Sequence, residues 1–167
     1  MPLTTYAPAV KLTAGNTLIG DAPAIANILA PTAIELNAST TFDGATETFA
    51  LSTNVTKNTR KMIADTVATE TIGKRQYQAS DLTIMTGDLQ ATNAFVAAWT
   101  LDSIHYLWVR PGLPDATAPA AAQKVQVAKV SVDSVDIREI SNKDGDEYAI
   151  VVKLSVQART PMLVAVV

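Results

Sequence analysis

The clearest pattern in the chain is an alternation of apolar and polar side chains near its carboxyl end. From Tyr148 to Ala158 the even positions are apolar or small, and most of the odd positions from Lys153 onward are polar. Such a period of two is typical of a strand with one buried face and one exposed face. The pattern therefore predicts a half-buried strand over 147–159 on an antiparallel sheet, with Asp144-Gly145 as the turn before it.

A second apolar pattern, over residues 124–139, changes phase twice. Its apolar positions are separated by 2, 3, 2, 3 and 2 residues: Val125, Val127, Val130, Val132, Val135 and Ile137. A pair of β-bulges would reset the side-chain phase in this way. Alternatively, successive stretches of one strand bury against different partners, one of them the chain's own core and another a neighbouring subunit. The sequence leaves both interpretations open.

The middle of the chain contains one convincing amphipathic helix. Its apolar side chains recur at i, i+3, i+4, i+7 and i+8, with Asp88 or Thr92 as the N-cap: Ala91, Ala94, Phe95, Ala98 and Trp99. Strands are predicted on either side of it, over Gln76–Met85 and His105–Arg110. A loop rich in proline and alanine follows at 111–122. The final residues 162–167 are apolar at both odd and even positions, which indicates that both faces of this segment are buried.

The amino-terminal part is less regular. Residues 1–20 predict an extended arm, and Asp21 caps a short helical turn over Ala22–Leu29 that Pro31 ends. The stretch from about 40 to 75, rich in threonine and asparagine, predicts a long loop with some strand character. The whole chain, 1–167, is expected to form a single domain.

Composition narrows the class of protein. The chain is 48% hydrophobic and 17% charged, with a net charge of −3. This much apolar side chain excludes a disordered chain, and the acidic balance gives no overall basic field for nucleic acid. The absence of cysteine excludes disulfides and thiolate metal sites.

The sequence offers little catalytic chemistry. No phosphate-binding, nucleophile-elbow or zinc-binding motif occurs, and a Ser-His-Asp triad could use only His105, the single histidine. A structural role in a strand is favoured for that histidine. The acidic run Asp144-Gly145-Asp146-Glu147 lacks the spacing of a calcium loop and is typical of a turn. We therefore expect no catalytic, cofactor-binding or metal-binding residues.

Several stretches, taken in order, resemble a known family. They are Pro31-Thr-Ala-Ile-Glu-Leu-Asn-Ala-Ser39, Asp65-Thr-Val-Ala-Thr-Glu-Thr-Ile-Gly73 and Gln76-Tyr-Gln-Ala-Ser-Asp-Leu82, followed by the helix, the 111–127 passage and the closing hairpin. This succession is similar to that of the major tail tube proteins of long-tailed, siphovirus-type bacteriophages, particularly those of actinobacteria. The resemblance covers roughly 100 residues, and it is the order of the motifs that carries it.

The resemblance implies a mainly β fold, an antiparallel β-sandwich or partial barrel with one flanking α-helix. It implies a structural virion protein without catalysis or cofactor, which forms hexameric rings stacked into the phage tail tube and is assembled in the bacterial host cytoplasm. The implied partners are further copies of the chain, the tape measure protein, the tail terminator and tail tip proteins, and passing DNA that is contacted non-specifically. No membrane is implied.

Within that framework the two carboxyl-terminal strands are our candidates for the inner wall of the tube. Their polar positions are the candidate lumen-facing residues: Asp133, Asp136, Lys153, Ser155 and Gln157. A weakly charged or acidic wall suits this role because basic side chains would bind the phosphates of DNA. The alternative is an immunoglobulin-like adhesion module or a virion decoration module, which has the same strand pattern but does not assemble with itself.

Overall fold

The computed structural model describes residues 15–42, 46, 49–60, 69–87, 94–138 and 148–167. Within these residues the chain forms nine strands and two helices of five residues each. In chain order they are β1 (Thr17–Ala22), α1 (Ala33–Asn37), β2 (Thr40–Thr41), β3 (Leu51–Arg60), β4 (Thr69–Ala79), β5 (Leu82–Gly87), α2 (Ala94–Ala98), β6 (Ile104–Pro111), β7 (Lys124–Ile137), β8 (Tyr148–Arg159) and β9 (Val164–Ala165).

Most of the strands belong to one antiparallel sheet of seven strands. Six of them follow the order β2-β1-β6-β7-β8-β5, and β9 pairs with the start of β7. The sheet curls into a half-barrel. Strands β3 and β4 form a separate two-stranded ribbon, which we call the ribbon. The predicted fold class, a mainly β, antiparallel partial barrel, is confirmed, and the described residues contain two short helices where one flanking helix was expected.

The sheet is buried on both faces where β6 and β7 cross its middle. Neighbouring side chains Leu107 and Trp108 on β6 are both 0% exposed, as are Val127 and Ala128 on β7. Because successive side chains of a strand point to opposite faces, these residues must enter two different cores. The first core contains Phe42, Leu82, Ile84, Trp99, Leu107, Ala128, Val130, Val132, Ile150 and Val152. The second contains Leu18, Ala22, Ile25, Leu36, Trp108, Val125, Val127 and Val166.

The two cores explain the first phase change in β7. The register with β6 is continuous here, from Trp108 opposite Val127 to His105 opposite Val130, so no bulge intervenes against that neighbour. Val127 simply points into the second core, and Val130 points into the first. Different stretches of the strand do bury against different partners, but both partners are cores of the same chain.

The second phase change is a β-bulge. Val132 pairs with Leu154 and Ser134 pairs with Lys153, so Asp133 is the extra residue on β7. A second register shift lies nearby, where Lys129 pairs with Ala158 and Val130 pairs with Val156, which makes Gln157 the extra residue on β8. Each of the two interpretations drawn from the sequence therefore applies to one of the phase changes.

Helix α1 begins after Pro31, so the predicted helical turn over Ala22–Leu29 is wrong. The Thr32 hydroxyl accepts a hydrogen bond from the Glu35 N–H at 3.2 Å, and the Glu35 carboxylate accepts one from the Thr32 N–H at 2.7 Å. This reciprocal capping box fixes the start of α1. In the segment before α1, two backbone N–H groups bond to side chains and not to helix carbonyls. The Ala26 N–H donates to the Glu35 carboxylate, and the Leu29 N–H donates to the Asn27 side chain.

Helix α2 coincides with the second half of the predicted amphipathic helix. Its proposed caps, Asp88 and Thr92, lie outside the described residues, as does Ala91. Trp99, directly after the helix, is 3% exposed and packs edge-on against Phe42 in the first core, with ring centroids 6.4 Å apart. The strand predicted at Gln76–Met85 is divided between β4 and β5, with a break at residues 80–81.

The structure adds strands to the amino-terminal third. Strand β1 occupies residues 17–22, partly within the predicted arm, because Leu18 and Ala22 are buried in the second core while Ile19 packs on the first. Residues 1–14 lie outside the described part. The predicted long loop at 40–75 contains β2, β3 and most of β4. The predicted turn at Asp144-Gly145 also lies outside the described residues.

Candidate functional site

The five candidate lumen-facing residues lie on β7 and β8. Side chains of Val152, Leu154 and Val156 point into the first core or pack against it. The odd positions of β8 up to Ser155 therefore point to the opposite face of the sheet. Cross-strand pairing brings Ser131 and Ser134 of β7 to the same face, since they lie opposite Ser155 and Lys153. We call this surface of the two strands the open face.

The structure brings four of the five candidates together on the open face. The Ser155 hydroxyl donates to the Asp133 carboxylate at 2.6 Å, and the Ser134 hydroxyl donates to the Asp136 carboxylate at 2.9 Å. Lys153 lies directly opposite Ser134. Gln157 is separate from these four, at the register shift farther along β8, and is exposed like them. The result is a small polar cluster with two hydrogen-bonded carboxylates and one lysine on the facing strand.

The open face ends where the second core covers the same side of the sheet. Toward the start of β7 the same face carries Val125 and Val127, which are buried in the second core beneath α1 and the carboxyl-terminal segment. Between the two regions the Lys129 ammonium lies over the Tyr106 ring, 5.8 Å from its centroid. The change along β7 from buried valines to half-buried serines and exposed aspartates thus separates a structural half from a solvent-facing half.

The ribbon touches the half-barrel beside β8. The Arg159 guanidinium lies over the ring of Tyr77 on β4, 5.8 Å from its centroid. An open groove separates the two elements and is lined by small or uncharged residues: Ala50, Ser52, Tyr77, Gln78, Ala79, Ser80, Leu154, Ser155 and Val156. No carboxylate, histidine or lysine is among these described lining residues, so the groove does not display acid-base chemistry.

The single histidine forms a Ser-His-Asp arrangement that the sequence alone did not reveal. His105 Nε2 lies 3.0 Å from Ser103 Oγ, and His105 Nδ1 lies 2.7 Å from the Asp21 carboxylate. The order of contacts matches a catalytic triad. The Ser103 hydroxyl, however, donates to the Thr100 carbonyl at 2.6 Å, and the imidazole is stacked 4.0 Å from the Trp99 ring and is 7% exposed. This geometry favours a brace between β1, β6 and the turn after α2.

A buried arginine organises the loop between β6 and β7. Arg110 is 0% exposed and donates to the carbonyls of Pro114 and Thr117 and to the Gln123 side chain. The loop is also joined to α1, because the Asn37 amide donates to the Pro119 carbonyl at 2.9 Å. These bonds hold a long loop without secondary structure in one conformation.

The described residues contain no group of three or more histidine, cysteine or acidic side chains placed to hold a metal ion. None of the helices in the described part of the chain is long and apolar enough to cross a membrane. The features available for function in this part are therefore the open face, the sheet edges and the exposed strand ends.

The described residues thus form a mainly β half-barrel with a polar open face. The family model for phage tail tube proteins matches residues 4–167, nearly the whole chain. The chain belongs to the phage tail tube protein family and is a structural protein of the virion tail.

A solved structure has the same fold. A chain in the "Cryo-EM structure of the anti-feeding prophage (AFP) baseplate, 6-fold symmetrised" superimposes with a TM-score of 0.54 at 10% sequence identity. The match covers 93% of this chain and 96% of that chain. At so low an identity the likeness concerns the fold alone. Among curated proteins, no sequence matches this chain significantly.

Proposed function

We propose that the chain assembles into rings of six copies, which stack into a tail tube through which genomic DNA passes. Family membership supports a tube built from many copies, and the structural neighbour comes from an assembly described as 6-fold symmetrised. Tape measure, tail terminator and tail tip proteins are the other partners of such a tube. No catalytic step is part of this function.

The half-barrel has the edges that a ring needs. Strands β2 and β5 are the outermost members of its sheet, and in the described residues the outer side of β5 pairs through one isolated bridge, between Ile84 and Thr46. Unpaired N–H and C=O groups at a sheet edge bind further strands readily. Pairing between neighbouring copies would satisfy these groups and would join the half-barrels into one closed wall.

The open face is the observation that carries the proposal for the lumen. It is the polar side of a sheet whose other side is occupied by the first core, so a closed wall built from it has one polar surface. Asp133 and Asp136 bring negative charge, and serine hydroxyls already donate to both carboxylates. Phosphate binding requires several cationic contacts. A wall with Lys153 as its one cation among the five candidate residues lets DNA slide.

Cysteine accessibility tests this orientation, because the chain contains no natural cysteine. Lys153→Cys places a thiol on the open face, and Ala97→Cys places one on the exposed side of α2, which covers the opposite face. Both variants are treated with a bulky polymer-linked maleimide, first as dissociated subunits and then as assembled tubes. We expect Ala97→Cys to react in both states and Lys153→Cys to react only before assembly.

Two results would contradict the proposal. Equal labelling of Lys153→Cys before and after assembly shows that the open face is on the outside. A protein that stays monomeric at high concentration and at every salt concentration, as judged by electron microscopy and sedimentation, behaves as the alternative decoration module does. In that case the ring itself must be abandoned.

A further inference from the structure

Exposed hydrophobic side chains concentrate at the two ends of the half-barrel strands. Thirteen large hydrophobic residues of the described chain are exposed. Three of them belong to the ribbon: Val55, Ile72 and Tyr77. The other ten divide between one end of the main sheet, where β6 ends and β7 begins, and the opposite part of the sheet, where β6 begins opposite Ser131 and β7 continues beside β8 as far as Ile137. Apolar patches of this kind mark interaction surfaces.

Three segments distant in the sequence form the first of these ends. Residues 164–167 lie between the segment before α1 and the loop after β6. Val167 exchanges two backbone hydrogen bonds of 3.0 Å with Pro31 and Ala33, and Val166 exchanges two of 2.8 and 2.9 Å with Gln123 and Ala122. We call the surface of residues 23–34, 111–122 and 160–167 the uncharged end. Its exposed large side chains are Leu29, Ile34, Met162, Leu163 and Val167.

The uncharged end has the composition and rigidity of an interface. Its three segments contain one charged residue, Asp115, although 17% of the whole chain is charged. Depletion of charge is the compositional sign of an interface core. The Arg110 side chain and the hydrogen bond from Asn37 to Pro119 hold its loop in place. A surface that is ordered in advance loses little entropy when it binds.

The opposite end of the same strands carries the second group, which we call the far end. Leu101 and Ile104 precede or begin β6, Val135 and Ile137 end β7, and Tyr148 begins β8. Their exposed fractions range from 37% to 65%. The two groups are thus separated by at least the length of β6 and cannot cover each other within one copy.

We propose that the uncharged end of one copy packs against the far end of a second copy. This inference rests on the proposed function. If sheet edges join copies side by side within a ring, the strand ends are the surfaces left for contact between rings. A repeating stack requires two different surfaces at opposite ends, because a heterologous contact continues indefinitely while a self-complementary one closes a pair. The ten exposed apolar residues provide such a pair of surfaces.

Ile34→Asp tests the uncharged end with little effect on the fold. Ile34 is 83% exposed and is the second residue of α1, where a carboxylate interacts favourably with the helix dipole. The matched control is Ile72→Asp on the ribbon, at a position 66% exposed but outside both ends. We expect Ile34→Asp to form single rings and to lose tubes, as judged by electron microscopy, while Ile72→Asp forms tubes like those of the unmodified protein.

A second variant tests the direction of stacking. Leu101→Asp places a carboxylate at the far end, at a position 65% exposed. In a head-to-tail stack each variant alone yields single rings, and a mixture of the two ring preparations yields double rings, since one intact end of each kind remains.

Each alternative outcome has a distinct meaning. Double rings formed by either variant alone indicate like-to-like contacts and overturn the inference. Full-length tubes of Ile34→Asp, or its failure to form rings while its melting temperature is unchanged, overturn it as well and leave the proposed function standing. If the unmodified protein forms neither rings nor tubes, the proposed function fails and this inference fails with it.

Discussion

The contact between Gly20 and Trp108 provides a sharp test of the packing. The two residues form a cross-strand pair between β1 and β6. A methyl group added at Gly20 would lie 2.7 Å from three atoms of the Trp108 ring. The ring cannot withdraw freely, because it is 0% exposed and its Nε1–H donates to Ser39 at 2.8 Å. Gly20→Ala must therefore displace the indole and the second core around it.

We expect Gly20→Ala to destabilise the chain by about 1–3 kcal/mol, the usual cost of overpacking a core. For a domain of this size each kcal/mol lowers the melting temperature by about 2–4 °C. The sign of the change in unfolding free energy is informative. Replacing glycine by alanine at an unstrained position stabilises a protein by about 0.4–1 kcal/mol, because it restricts the unfolded chain.

A double-mutant cycle with Trp108→Phe separates the clash from other effects. The smaller ring makes room for the added methyl group, so Gly20→Ala should cost less in the Trp108→Phe background. Gly112→Ala is the matched control, since its positive φ of 83° strains alanine but no atom lies within 4 Å of the added carbon. Its cost should be the same in both backgrounds.

The measurement is thermal or urea unfolding at concentrations where the chain is unassembled, because assembly raises the melting temperature by mass action. An unchanged or raised melting temperature for Gly20→Ala would refute the clash. So would a cost that is identical whether Trp108 or phenylalanine occupies the partner position.

Three further predictions concern single side chains. Arg110→Met should cost about 1.5–3 kcal/mol in urea unfolding, because carbonyls of the 111–122 loop lose a charged donor, and should speed proteolysis within that loop. Thr160→Val keeps the shape of a fully buried residue but removes the hydroxyl that accepts the Val127 N–H at 3.1 Å, and we expect a loss of about 1–3 kcal/mol. N–H groups of Ala26 and Thr32 donate to the Glu35 carboxylate and lower its pKa below the ordinary 4.5. Its contribution to stability is therefore present above pH 4.5 and is lost as the pH falls through the lowered pKa, so Glu35→Gln should be less stable than the unmodified chain at pH 7 and nearly equal to it in strong acid.

Sequence reasoning succeeded where local pattern and structure coincide. The alternation along 150–156 gives the buried side of β8 directly, because Ile150 and Val152 are buried and Lys153 is exposed, whereas at the start of the strand Tyr148 is exposed and Ala149 is buried. The spacing of valines in β7 also predicted that each phase change is either a β-bulge or a change of the face that is buried. It could not assign them, since a change of face and a bulge leave the same spacing of valines. Only the pairing with β6 and β8 distinguishes the two.

The helix near Pro31 shows why a local rule can fail. The local rule predicts Asp21 as a helix cap, but Asp21 belongs to β1 and its carboxylate contacts His105, 84 positions away. The capping box at Thr32 and Glu35 was visible in the sequence and is the signal that could have located α1. Contacts such as Asp21 with His105, or Asn37 with Pro119, depend on the order of strands in the sheet, which no local pattern contains.

The uncharged end is built from three segments that are far apart in the sequence, and this affects when the surface can form. Residues 23–34 and 111–122 are made well before residues 164–167, whose backbone joins them. An incomplete chain therefore lacks the surface through which copies would stack. Distant segments also pair slowly during folding. If copies stack through this surface as proposed, it is complete only after residues 164–167 have joined the two earlier segments.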